Sequence, residues 1–332
     1  MTNASDALAA LFVDHGVRLV QTADGLSDDA KDRLRRLAAF VVALITATNL
    51  TSKAEYAKMI AAARAEIDAT YAELAAASKD ATQELAQIEA KFVVTTINEE
   101  MGSQLVRTPR LTVTDPEIGG HAVPDWWAAQ AADTSAKVVA TVRAGMTAGE
   151  DVEQLVARLL APTSPFTAAL NNAESLVHSG AQRTAMDARN AVLKANSAVV
   201  FGLEIVATLD SGTCAQCLAY DGSTYDVDGT PMGATTLPFN GGAPFHFGCR
   251  CATVPIMRHY SEVGLEENSM DGKPSSGLSA EKWLDGKSKT EQDEILGVGR
   301  AALYRAGKIT LRDLVSRTGK QISLGKLNDI YT

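Results

Sequence analysis

The amino-acid sequence predicts a mainly α-helical protein, in which long N-terminal helices are followed by a C-terminal α+β module. Three observations lead to this fold class. Of the 332 residues, 46% are hydrophobic but only 5% are aromatic, which is typical of an alanine-rich helical protein rather than of a β-sandwich. Residues 1–107 contain no proline and few glycines. A β-rich run, Val199 to Leu209, comes much later and leads directly into the first of four cysteines.

Residues 1–107 are predicted to form a helical arm or bundle of three helices. The first is expected from Asn3 to Gln21. A second is expected to be capped by Ser27-Asp28-Asp29 and to run to about Thr48, because short polar side chains accept hydrogen bonds from the free N–H groups of a helix start. A third, from Lys53 into the nineties, repeats apolar residues every three or four positions. Unbroken to Glu100 it would be about 70 Å long, and it would need a partner within this chain or in an assembly.

The middle of the chain is divided by proline and glycine. Residues 108–124 carry three prolines and a Gly-Gly pair, and are predicted to be a linker or exposed loop. Residues 125–198 are predicted to be helical again, with a capped helix that Pro162 stops and a longer helix from Thr167 to Asn196. The Trp126-Trp127 pair is expected in the core, with an interface anchor as the alternative.

Residues 199–260 are predicted to be a small β-rich module. Strands are expected at Val199–Leu209 and Ala252–Met257, with a short hairpin at Tyr225–Gly229 between them. The module is too poor in apolar residues to be stable alone, so a metal is expected to hold it shut. Residues 261–280 are predicted to be a second linker. Residues 281–332 are predicted to be a C-terminal helical tail whose short helices, around glycines 297 and 307, dock on the module.

All four cysteines lie in this module, as Cys214-x-x-Cys217 and Cys249-x-Cys251, with His246 three residues before the second pair. Thiolates and imidazole are the ligands of tetrahedral structural zinc. The predicted cofactor is therefore a structural Zn²⁺ bound by Cys214, Cys217, His246 and Cys249, and the nearest alternative replaces His246 by Cys251. Disulfides or idle thiols are a further reading, but no apolar leader pattern precedes the first helix, so a reducing cytoplasm is expected.

Composition and motifs argue against several other function classes. No apolar run approaches the roughly 20 residues that span a bilayer. The net charge of −9 does not suit a general nucleic-acid binder. A basic stretch from Lys31 to Arg36 is interpreted mainly as the solvated face of a helix. No His-x-Glu, Cys-x-Glu or His-Glu-x-x-His element supplies the base of a zinc deaminase or hydrolase, so no catalytic residue is predicted.

The cysteine motif resembles that of the phage head morphogenesis proteins, the minor head family that includes the Mu F-like and SPP1 gp7-like proteins. The resemblance covers about Ala168 to Leu327 and so continues into the tail. Two departures are that the family's arginine after the Asp-Ser pair is Gly212 here, and that Phe247 stands where the family has proline. The residues of the motif at matching places are Asp210, Ser211, Thr213, Cys214, Cys217, Asp221, Gly222, Pro244, His246, Cys249, Arg250, Cys251 and Pro255.

The resemblance implies a non-enzymatic component of the virion head that assembles in the bacterial host cytoplasm. Such a minor capsid protein would be present in multiple copies near the portal vertex and would assist capsid assembly and DNA packaging or delivery. The implied partners are the portal protein, the major capsid or scaffold proteins and, as a further partner, phage DNA; no membrane is implied. Cys251 and Arg250 would support the metal ligands, and Asp210 and Asp221 would hold turns. The alternative is a phage-encoded zinc-dependent or ADP-ribosyltransferase-like enzyme.

Overall fold

The computed structural model describes residues 3–258, 280–316 and 319–331. It is mainly helical, with 64% helix and a small antiparallel sheet, which confirms the predicted fold class at this level. Within the described residues, no helix is long and apolar enough to cross a membrane. The elements are α1 (Asn3–Ala47), α2 (Lys53–Glu100), β1 (Glu117–Ile118), β2 (His121–Ala122), α3 (Val123–Ala148), α4 (Val152–Leu160), α5 (Pro165–Ala195), β3 (Val200–Val206), α6 (Ala215–Tyr220), β4 (Thr224–Tyr225), β5 (Ala252–Met257), α7 (Ala280–Asp285), α8 (Lys289–Leu296), α9 (Val298–Arg305), a 3₁₀ helix (Leu311–Leu314) and α10 (Leu324–Tyr331).

α1 is one continuous helix, so the predicted break between Gln21 and Ser27 is wrong. Ser27, expected to cap a second helix, is 1% exposed and lies within the helix. Burial of one unbroken apolar stripe outweighs the roughly 1 kcal/mol that Gly25 costs in a helix interior. The buried positions that continue the stripe at spacings of three and four are Leu19, Ala23, Ser27, Ala30 and Leu34.

The predictions for α2, α4 and α5 are confirmed. α2 spans 48 residues and is therefore about 70 Å long, as the periodicity predicted. α5 begins and ends within two residues of its predicted bounds. α4 starts at a capping box in which the Asp151 side chain accepts from the Gln154 backbone and the Gln154 side chain accepts from Asp151.

The chain divides into two compact units. Unit 1 comprises Met1–Arg18, Leu85–Val113 and Gln182–Thr332, and unit 2 comprises Leu19–Glu84 and Thr114–Ala181. Three of the four boundaries fall inside α1, α2 and α5, so each of these helices contributes residues to both units.

Unit 2 is a helical assembly around Trp127. Its indole is 1% exposed and donates from Nε1 to Ser78 Oγ at 2.9 Å, which confirms the core placement. Trp126 is only partly buried and donates to the Ile118 carbonyl at 3.0 Å. Ile118 belongs to the β1–β2 hairpin, which the predicted linker 108–124 contains. Large apolar members of this core include Leu34, Leu37, Val41, Ile45, Ile67, Tyr71, Val138, Val142, Leu155 and Leu159.

Unit 1 contains a three-stranded antiparallel sheet in the order β4-β3-β5. Leu203 of β3 is opposite Tyr225 of β4 on one side and Pro255 of β5 on the other. β5 matches its predicted bounds, and Tyr225 also bridges to Pro231, which closes the predicted hairpin. The apolar residues packed with the sheet include Leu8, Phe12, Val93, Ile97, Val192, Leu193, Val200, Val254 and Met257.

The tail packs on the cysteine-containing module within unit 1, as predicted. Leu284, Leu314 and Leu327 are each fully buried and share one apolar cluster with Cys217 and Tyr220. The Gln216 side chain, next to a cysteine, donates to the Gly319 carbonyl at 2.8 Å. The predicted linker 261–280 lies, up to residue 279, outside the described residues.

Candidate metal centre

Two loops of unit 1 carry the cysteines and the histidine. In the first, Cys214 is the N-cap residue of α6, and its Sγ accepts from the backbone N–H of Cys217 at 3.4 Å. The second runs through His246 and Cys249 to Cys251, the residue immediately before β5. Cys217, Cys249 and Cys251 are only 2–3% exposed, whereas Cys214 and His246 are partly exposed. All four cysteines are free thiols.

The structure brings all five candidate ligands together. His246 Nε2 lies 3.0 Å from Cys214 Sγ and 3.2 Å from Cys217 Sγ, and Cys217 Sγ lies 3.7 Å from Cys249 Sγ. Two groups have all their donor atoms within 4.8 Å of one another, Cys214–Cys217–His246 and Cys217–Cys249–Cys251. Cys217 is common to both groups. His246 belongs to the first group and Cys251 to the second.

The spacing of the donor atoms and the Nδ1 contact of His246 fit a four-coordinate metal ion. Ligands at about 2.3 Å for sulfur and about 2.0 Å for nitrogen lie roughly 3.5–3.8 Å apart around a tetrahedral zinc ion. The Cys217–Cys249 separation of 3.7 Å falls in this range, and the two sulfur contacts of His246 are shorter. His246 Nδ1 lies 2.8 Å from the Phe247 carbonyl oxygen. A proton donated there leaves the Nε2 lone pair facing the sulfurs, as ligation requires.

The clustered groups perturb one another's pKa values. Hydrogen bonding, first with Cys217 and then with His246, lowers the pKa of Cys214 to about 4. The hydrogen bond with Cys214 in turn raises the pKa of His246 to about 9. The pKa of Cys217 is raised, chiefly by its hydrogen bond with Cys214, whereas hydrogen bonds led by that with Cys217 lower the pKa of Cys249. The sulfurs are therefore too close to ionise together unaided, and a divalent cation would let them do so.

An ion pair joins the two ligand loops. Arg250, between two of the cysteines, contacts Asp210 through both terminal guanidinium nitrogens, with Nη2 2.6 Å from Oδ1. The Arg250 hydrogen bond is the main reason that the pKa of Asp210 is lowered. Asp210 Oδ1 also accepts from the Gly212 backbone at 2.8 Å, and Asp221 Oδ1 accepts from the Ala207 backbone at 2.9 Å. Both aspartates thus hold backbone turns beside the cluster.

The sequence did not predict that Gly212 makes room for the ion pair between Asp210 and Arg250. A Cβ at this position would lie 2.8 Å from Arg250 Nη2 and 3.3 Å from Asp210 Oδ1, so glycine leaves room for the ion pair. Thr213 was named as a residue of the motif, but its role was not predicted: its Oγ1 donates to the Thr208 carbonyl and accepts from the Asp210 N–H at 3.0 Å. The Asp-x-x-Thr spacing is a turn signature that could have predicted this second contact.

The donor set favours a closed, structural metal site over a catalytic one. Among the described residues, neither donor group includes a carboxylate. A catalytic zinc site keeps a position open for an exchangeable water and commonly has a nearby base. A cleft lined in part by Thr208, Gly212 and Gly248 reaches Cys214 and His246, so the partly exposed side of the cluster is the side on which a metal ion can enter.

No protein-family model, no curated protein and no solved structure matches the chain. Function is therefore inferred from the order of the cysteines and the histidine along the chain and from the contacts that these residues make.

Proposed function

We propose that this chain is a bacteriophage minor head protein: a structural, non-enzymatic component of the virion head near the portal vertex that assists capsid assembly and DNA packaging or delivery. The observation that carries the proposal is the cluster itself. The cysteines and histidine whose order resembles the head morphogenesis family are the same side chains that converge in unit 1, with Cys217 at their centre. Arg250 and Asp210, also part of the resemblance, join their loops.

We infer that the cluster holds a structural Zn²⁺ through Cys214, Cys217, His246 and Cys249, with Cys251 as the alternative fourth ligand. When bound, zinc supplies a tetrahedral crosslink between the two loops. The support is the burial of three thiols and the donor set without a carboxylate. Cys217 shares an apolar cluster with the C-terminal tail. A zinc crosslink at Cys217 therefore also stabilises the packing of the tail on the module.

The helices suggest how such a protein contacts larger neighbours. α2, with 48 residues, offers a long surface to a portal protein or to major capsid or scaffold proteins. Contact with phage DNA is a secondary expectation, because the basic stretch of α1 is paired with acids. Lys31 lies 2.6 Å from Glu174, and Arg33 lies 3.0 Å from Glu73. These pairs reduce the positive charge available to phosphates.

Quantitative mass spectrometry of purified particles, from cells that encode this chain, tests the proposed location. We expect a few to a few tens of copies per particle, measured against the major capsid protein. A Cys217→Ser chain, expressed at the same level, should be depleted from particles, whereas an exposed substitution such as Lys137→Ala should be retained. Absence of the wild-type chain from particles despite good expression would overturn the virion assignment and favour a transient assembly factor or an enzyme.

Metal content of the purified, reduced chain tests the ligand set. We expect one zinc per wild-type chain and none in Cys217→Ser, because both donor groups contain Cys217. Cys251→Ser should keep its zinc and His246→Ala should lose it. The opposite pattern would assign Cys251 as the fourth ligand, and a wild-type chain without zinc would overturn the metal site.

A further inference from the structure

A chain of buried polar contacts runs from the metal loop to the first helix, all within unit 1. We define it as the buried relay: His15 of α1, Glu89 of α2, Arg189 of α5 and the carbonyl group of Thr253 in β5. Glu89 and Arg189 are 0% exposed and His15 is 8% exposed. Charged side chains are almost never buried to this degree unless each is paired, so these residues depend on one another.

The contacts of the relay are short and continuous. His15 Nε2 lies 2.7 Å from Glu89 Oε2, and Arg189 Nε donates to Glu89 Oε1 at 2.7 Å. Arg189 Nη1 donates to the Thr253 carbonyl at 2.9 Å. The Phe12 ring lies 4.7 Å from the guanidinium, and the Phe92 ring stacks on His15 at 3.6 Å. Three helices and the strand are thus joined by one guanidinium and one carboxylate.

The relay ends next to the metal loop. Thr253 is the second residue of β5, and Cys251, a candidate ligand, immediately precedes that strand. The Cys251 carbonyl accepts from Gln182 Nε2 at 3.0 Å. Gln182 and Arg189 are seven residues apart, which places them two turns apart on the same face of α5. α5 therefore contacts the start of β5 through two side-chain donors, and any shift of the metal loop moves their acceptors.

We propose that the bound metal controls how firmly the start of α1 is held in unit 1. The metal holds Cys249 or Cys251, the start of β5 keeps the Thr253 carbonyl against Arg189, and Arg189 keeps Glu89 oriented towards His15. Loss of the metal frees the β5 start, leaves a buried guanidinium short of an acceptor, and loosens residues 7–18. This inference rests on the proposed metal site and adds a regulated contact: an N-terminal helix segment whose release depends on metal content.

Hydrogen exchange of the full chain, with and without Zn²⁺ under reducing conditions, tests this coupling. We expect removal of zinc by a chelator to speed amide exchange of peptides from residues 7–18 by at least about tenfold, because local opening sets exchange rates. Peptides from α3 provide the internal reference. Zinc content is measured on the same samples, so that failure to bind and failure to couple are separate results.

Two variants show whether the relay transmits the effect. Arg189→Met/Glu89→Leu replaces the buried ion pair by apolar side chains of similar size, an exchange that folded proteins often tolerate. It should bind zinc normally and lose the zinc dependence of exchange at residues 7–18. Lys194→Met, an exposed position of the same helix, should behave as wild type. If the double variant does not fold, Gln182→Leu serves instead and should reduce the zinc dependence.

Three results would overturn the inference. A wild-type chain that binds zinc but exchanges equally fast at residues 7–18 with and without it refutes the coupling and leaves the metal site standing. A zinc effect that persists unchanged in the relay variant refutes the pathway. A chain that binds no zinc removes both the metal site and the coupling.

Discussion

Glu89→Gln should be among the most destabilising single polar substitutions in unit 1. The amide keeps the shape of the carboxylate but removes its charge, so the Arg189 guanidinium is left buried without a counter-ion. Both side chains are 0% exposed, so water cannot replace the lost partner. Arg189 Nη2 lies 2.5 Å from Glu89 Oε1 as an ion pair, and among the residues that the structure describes it has no hydrogen-bond acceptor, so none of them can replace the lost carboxylate.

The size of the expected loss in unfolding free energy follows from the burial of Glu89 and Arg189. Breaking a buried ion pair by removing one partner costs about 3–5 kcal/mol. An exposed pair lost from a helix surface costs only about 0.3–0.5 kcal/mol. Asp133→Asn is the matched control: it also turns a carboxylate into an amide, and its partner Lys137 lies 2.6 Å away at roughly half exposure. The expected ratio between the two effects is therefore about tenfold.

Urea unfolding is followed by far-ultraviolet circular dichroism and by hydrogen exchange, read at residues 85–101 for Glu89→Gln and at α3 for Asp133→Asn. Exchange is needed because the two units need not unfold in one step. Adding Arg189→Met to the Glu89→Gln chain should cost much less stability than Arg189→Met alone. Arg189→Met alone leaves the Glu89 carboxylate unpaired, and Glu89→Gln has already removed that charge. A loss below about 1 kcal/mol for Glu89→Gln, similar to the control, would refute the idea that this pair is desolvated.

Three further outcomes are expected. Trp127→Ala should lower the free energy of unfolding by about 3–5 kcal/mol in urea titrations, whereas Trp126→Ala, at a partly exposed site, should cost distinctly less. Acid should weaken unit 1 through Glu89: burial acts to raise its pKa, but Arg189 and His15 outweigh it and hold the pKa below 4.5. This stability is complete above the usual glutamate pKa and is lost as pH falls through the lowered one, so in that acid range the urea midpoint should drop more steeply than in Glu89→Gln. Gly242→Ala should destabilise the loop before His246 by about 1–3 kcal/mol, since φ is 78° and a Cβ would lie 2.8 Å from Thr253 Oγ1; its melting temperature should fall, while Gly16→Ala, where nothing is close, should not lower it.

The helices could be predicted where the apolar period and the local capping signals agree. α2, α4 and α5 satisfy both conditions, and β5 follows from its β-branched run. The prediction for α1 was wrong because capping signals near Ser27 conflict with an apolar stripe that runs through them. Tertiary packing decides between such conflicting signals. The β1–β2 hairpin has only two residues per strand, which is too short for an alternating pattern to be detected.

In the candidate site, too, features set by neighbouring residues could be predicted, whereas contacts between residues far apart in the chain could not. The five possible ligands could be found because their spacing is local and their chemistry is unusual. The sequence favours His246 as the fourth ligand and keeps Cys251 as the alternative, because the final choice depends on tertiary distances of a few tenths of an ångström. The Asp210 partner of Arg250 is 40 residues away, and Glu89 is 100 residues from Arg189. Single charged residues on helix faces are usually solvated, so nothing local predicted their burial.

The identity of the fourth ligand decides how directly the metal acts on the rest of unit 1. If His246 completes the set, the metal holds Cys249, and its effect reaches β5 through the two residues that follow. If Cys251 completes it, the metal is bonded to the residue immediately before the strand, whose carbonyl accepts a hydrogen bond from Gln182. Zinc-dependent protection of residues 7–18 should then be greater with the all-cysteine set than with the histidine set. His246→Ala and Cys251→Ser, compared for zinc content and exchange together, therefore connect the chemistry of the cluster to the mobility of the first helix.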